Sequence, residues 1–122
     1  MKWIIFLLVS LISLTGCQQS IDKSDEGEVW KVEFRAEQPT DTEESTFHTF
    51  HYMPDNHEAI TDIEIVTDRG LEISRESIGP EPSITTEGGC SSCSTTPEDV
   101  NIEVNIQWAD QGEDYEESLI LD

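Results

Sequence analysis

The sequence predicts an all-β domain of two stacked antiparallel sheets, and three observations carry that reading. From Val29 onward the apolar residues recur with a period of two rather than 3.6. Clusters of Gly, Pro, Asp and Asn break these runs roughly every 8–12 residues, as hairpin turns do. The length, 122 residues, suits one small domain.

Taken in chain order, residues 1–16 come first. Met1 and Lys2 precede a mostly apolar run, Trp3 to Val9 and then Ser10-Leu-Ile-Ser-Leu14. One positive charge before about a dozen apolar residues has the layout of a secretory signal and is too short to span a bilayer, which takes ~20. Leu14-Thr15-Gly16-Cys17 follows. It resembles the lipobox of bacterial lipoproteins. The resemblance implies thioether lipidation of Cys17 and cleavage before it, with palmitate-type acylation of the new amino terminus. Cleavage would leave residues 17–122, with five basic side chains against 27 acidic ones. Two or three acyl chains make a lasting anchor where one is reversible. Gln18 stands where an Asp would retain a lipoprotein at an inner membrane. Gln18 to Glu28 lacks any apolar period, so residues 17–28 read as the lipidated Cys and an acidic flexible tether.

The domain proper is expected over 29–122. Trp30, Val32, Phe34 and Ala36 alternate with charged neighbours, as do Ile63 and Ile65, Leu71 and Ile73, and Ile102, Val104, Ile106 and Trp108. Thr46–Met53 and Tyr115–Leu121 are further strand candidates, and Ile84 suits a short edge strand. Gln38-Pro39-Thr40-Asp41, Pro54-Asp55-Asn56, Asp68-Arg69-Gly70 and Asp110 to Asp114 supply the turns. Six or seven short strands at this spacing predict an immunoglobulin-like antiparallel β-sandwich. Thr96-Pro97-Glu98-Asp99 resembles the helical turn ahead of strand F in such domains, although Glu103 and Asn105 stand at the tyrosine-corner and core-cysteine positions. Trp30-Lys31-Val32 and Gly88-Gly89-Cys90-Ser91-Ser92-Cys93 make the chain loosely similar to small Gram-positive envelope lipoproteins, a likeness that brings no activity with it.

Once Cys17 is lipidated, Cys90 and Cys93 remain, and an even remainder in an exported protein favours a disulfide. Such a short ring stabilises by roughly 2 kcal/mol at best. A redox pair is the sharper alternative, but Pro97 interrupts any helix that would begin at Cys90, and no Lys, Arg or His lies near to hold a thiolate. Metal ligation or free thiols are the remaining alternatives. The three histidines gather between His48 and His57, which invites a copper-type site. On a strand His48 and His51 point to opposite faces, so only His51, Met53 and His57 could converge. Asp110, Glu113, Asp114, Glu116 and Glu117 crowd one hairpin without the spacing of a Ca²⁺ loop.

A formal charge of −21 excludes a nucleic-acid partner and electrostatic docking on anionic lipid. No Gly-x-Ser-x-Gly elbow or glycine-rich phosphate loop is present. The expectation is therefore a non-catalytic module without a cofactor, held to the outer face of the cell membrane through Cys17. Its partner would be an envelope protein with a basic surface. The alternative is a metal-binding or thiol-redox envelope lipoprotein.

Overall fold

The computed structural model describes residues 19–92 and 94–122, so the signal segment, Cys17 and Cys93 lie outside the described residues. Eight strands follow in order: β1 (Gln19–Glu26), β2 (Trp30–Thr40), β3 (Glu43–Tyr52), β4 (Ile60–Thr67), β5 (Glu72–Ser77), β6 (Ser83–Cys90), β7 (Ile102–Asp110) and β8 (Glu113–Leu121). They form two antiparallel sheets, sheet A with the order β1-β2-β3-β6 and sheet B with the order β5-β4-β7-β8. Among the described residues there is no helix. The order β2-β3-β6 against β5-β4-β7-β8 is that of an immunoglobulin-like sandwich, and β1 adds an eighth strand at its edge.

The period-two apolar residues form the layer between the sheets. Trp30, Val32, Phe34 and Ala36 of β2 face Ile102, Val104, Ile106 and Trp108 of β7, with Ile60, Ile63 and Ile65 of β4 beside them, and all are buried. At one end Trp30 meets Tyr52 and Trp108 edge-on, with ring centroids 5.2 and 5.8 Å apart, and Tyr115 stacks on Trp108 at 5.8 Å. Such pairs contribute about 0.5–1.5 kcal/mol each beyond the area they bury.

Three sequence-based expectations are corrected. Residues 19–26, expected within a flexible tether, form β1 in register with β2 from Gln19↔Gln38 to Glu26↔Lys31. The alternation there is hidden because two of the inward positions are charged. Ile21 is buried, Lys23 sends its ammonium to the backbone carbonyl of Glu98 at 2.8 Å, and Asp25 accepts the Ile120 amide at 3.1 Å. Ile84 does lie on an edge strand, β6, as expected, but that strand is eight residues long rather than short and runs through the Gly88-Gly89 segment. A side chain at Gly89 would approach the Glu44 carbonyl to 2.9 Å, so β6 can lie this close to β3 only with glycine there. Pro39 lies within β2 rather than in the turn, where the register shifts between Glu37 and Thr40 and no ladder donor is needed.

The edges of β1 and β8 are stitched together by Glu117. Its position in β8 faces inward, opposite Ile106, yet its carboxylate reaches the β1–β2 turn. There it accepts from the backbone N–H groups of Glu28 (3.0 Å), Val29 (3.1 Å) and Trp30 (2.9 Å). Three consecutive amides aimed at one anion form a nest. A Cβ on Gly27 would collide with this carboxylate.

Two outcomes are expected. The Gly27 N–H to Trp30 carbonyl bond sets which β1 amides face β2, namely those of Ile21, Lys23 and Asp25. Amide exchange at Ile21 and Lys23 should be slow, and exchange at the rate of a free chain would return this segment to a tether. Glu117→Ala should cost about 1–3 kcal/mol by leaving part-buried amides unpaired. Gly27→Ala should add little in the Glu117→Ala background, because both act on one contact, and a double-mutant cycle from urea unfolding reads this.

Candidate functional site

At the end of the sandwich away from the tryptophans, a cleft of about 450 Å³ opens between the start of β3 and the β4–β5 turn. Phe34, Glu44, His48, Arg69, Leu71 and Thr96 line it. The parity that sends Phe50 and Tyr52 into the core also turns Glu44 and His48 inward. Gly70, with φ of 93°, makes the tight turn that carries Arg69.

Glu44 is buried and accepts three hydrogen bonds. One carboxylate oxygen accepts from the Thr96 amide and from the Gln38 side chain, each at 2.7 Å, and the other accepts the Thr96 hydroxyl at 2.8 Å. Gln38 also donates to the Thr96 carbonyl at 2.8 Å. Burial pushes the Glu44 carboxyl upward. The Thr96 amide, the Gln38 and Thr96 side chains and the Arg69 charge together outweigh it, and the net displacement is below the usual carboxylate range. Glu44 is therefore ionised and accepts three hydrogen bonds. It acts as a clamp holding the β6–β7 connection. His48 lies against Phe34, centroids 4.9 Å apart, and stacks on Phe50 at 6.0 Å. Burial lowers its pKa, so the ring is neutral near pH 7.

Cys90 ends β6 directly opposite Glu44, in register. Since Thr96 is bonded to Glu44 as well, both flanks of the Cys90–Cys93 loop converge on one point of β3. His51 is exposed on the outer face of sheet A, in register with Lys31 and Ser83. Met53 follows β3 and donates its amide to Val29. His57 lies in the next loop with a ring nitrogen 3.3 Å from the Pro80 carbonyl. No set of three or more His, Cys, Asp or Glu side chains among the described residues is grouped as metal ligands would be. The acidic hairpin disperses its carboxylates: Asp110 accepts from Asn56, Glu113 from Tyr115, Glu116 from Asn105, and Glu117 occupies the amide nest.

The clamp itself was not singled out from the sequence, because Glu44 is one of 27 acids. Extending the alternation back from Phe50 would have placed it on the buried face.

Glu44→Gln should destabilise the fold by about 1.5–3 kcal/mol at pH 7, since an amide cannot accept everything the carboxylate accepts. The folded-state pKa is lowered, so this contribution is whole at and above the ordinary carboxylate range and is lost as pH falls through the lowered value. In urea titrations the gap between the two proteins should close on acidification. A gap independent of pH would remove the ionised clamp.

Among the described residues no helix is long and apolar enough to cross a membrane. No protein-family model, curated protein or solved structure matches the chain.

Proposed function

We propose that this chain is a lipid-anchored, extracytoplasmic β-sandwich module that is not an enzyme and works by contact with a basic partner protein. The observation that carries the reading is the sequence Leu14-Thr15-Gly16-Cys17 placed immediately ahead of a folded body. With β1 starting at Gln19, only Gln18 separates the lipidated sulfur from the sandwich. The body would then stand on the bilayer by its Gln19 end. That end also carries the Asp41-Thr42 turn, the Glu44 clamp and the cysteine loop. Gln19 is fastened there by its side chain to Glu98 at 2.6 Å.

The charge supports the choice of partner. A body with five basic against 27 acidic side chains is repelled by anionic headgroups and polymers and attracts cationic surfaces at low salt. The Cys90–Cys93 pair is read as a structural disulfide closing a loop whose flanks are both held on β3, Cys90 opposite Glu44 and Thr96 bonded to it.

Expression of the full chain in a bacterial host tests the anchor. The protein should partition with membranes and yield to detergent, and its intact mass should be that of residues 17–122 plus diacylglyceryl and acyl groups. Cys17→Ser should lose those groups and the cleavage. A bare, unprocessed N-terminus on the unaltered chain would overturn the reading.

A further inference from the structure

The outer face of sheet B breaks the rule that its outward positions are polar. Val66 and Ile120 point outward there, 47% and 50% exposed. Register places them on either side of β7, with Val66 opposite Asn105 and Ile120 opposite Glu103. They belong to one depression of about 430 Å³, whose other walls include Asp68, Glu103, Asn105 and Ser118. Asp68 is engaged with the Glu103 amide at 3.1 Å, and Asn105 with Glu116 and Ser118. The Glu103 carboxylate takes no hydrogen bond or ion pair from the described residues. Around the depression the outward positions of the same face carry Glu64, Glu72 and Glu116.

We propose that this depression is the docking site for the basic partner, and the inference rests on that reading. It would receive a lysine or arginine side chain flanked by apolar residues. Two exposed aliphatic side chains supply an apolar seat for the residues flanking such a cation, and Glu103 supplies the anion for its head. Charge selects this occupant over the others. A second copy would set Glu103 and its acidic neighbours against themselves, and an anionic bilayer carries the same sign. A cationic surface with an apolar anchor satisfies both halves of the site. Central apolar contacts ringed by polar ones are where binding energy concentrates.

The test uses the full chain in neutral detergent micelles and two synthetic probes, an eight-residue peptide of alternating Lys and Leu and octalysine. The double variant Val66→Ser/Ile120→Ser alters only exposed side chains, so the fold should persist, as urea unfolding will verify. Binding of the Lys/Leu peptide should weaken about fivefold or more in this variant while octalysine binding stays unchanged. Glu103→Gln should weaken both probes. Amide shift changes on binding the Lys/Leu peptide should cluster at 66–68, 103–105 and 118–120. If the Lys/Leu peptide binds but its shifts fall on another face, or the double variant weakens both probes alike or neither, the site is wrong while the basic-partner reading stands. If neither probe binds, both fail together. A dimer of the unaltered chain that the double variant dissolves would assign the depression to a second copy and overturn the proposal.

Discussion

The constraint on which this fold depends is its shortage of cations. Twenty-seven acidic side chains face six basic ones, so a carboxylate drawn into the structure rarely finds a cationic partner. The two ion pairs among the described residues, Lys31–Glu33 and Arg35–Glu37, are exposed and lie along β2. Pairs of that kind contribute about 0–1 kcal/mol. The carboxylates that shape the fold are held instead by amides and neutral donors. Glu117 takes three backbone N–H groups of the β1–β2 turn, Glu44 takes Thr96 and Gln38, Asp25 takes the Ile120 amide and Asp68 that of Glu103. Each of these joins segments distant in sequence. Glu117 and Asp25 bind one sheet to the other along the β1–β8 side, and Glu44 fastens the crossover from β6 to β7.

That arrangement explains which parts of the fold were legible in the sequence. β2, β4 and β7 announce themselves because their inward positions are mostly apolar, and Asp68-Arg69-Gly70 is readable as a turn because glycine supplies its positive φ. β1 does not announce itself. Lys23 and Asp25 occupy inward positions, and their partners, the Glu98 carbonyl and the Ile120 amide, lie 75 and 95 residues away in the chain. No local pattern can report a partner at that distance. β6 was read short for a related reason: Gly88 and Gly89 look like loop residues until the closeness of β3 shows why side chains are excluded.

The candidate sites divide in the same way. Strand parity separated His48 from His51, and the structure keeps the first against Phe34 and Phe50 and the second on the outer face of sheet A. Parity alone could not show that Glu44 is a clamp, since that depends on Thr96 returning from the far side of the cysteine loop. Val66 and Ile120 did leave a trace, as runs of adjacent apolar residues, Ile65-Val66 and Leu119-Ile120-Leu121. Two or three apolar residues in succession on a strand must send one outward.

An exposed pair of aliphatic residues on a sheet face normally invites self-association, and so does an edge strand as lightly charged as β6, where Glu87 is the one ionisable side chain before Cys90. Removing either liability locally would mean adding charge where the sheets are already short of countercharge. The surplus of carboxylates answers both at once. Two copies approaching by any face bring formal charges of −21 together, and at moderate salt that repulsion still acts over the ~8–10 Å at which surfaces begin to touch. A cationic surface meets attraction at the same range. The same charge that forces the fold to use amides in place of salt bridges therefore opposes self-association through the exposed Val66 and Ile120, the pair proposed to seat a partner of opposite sign.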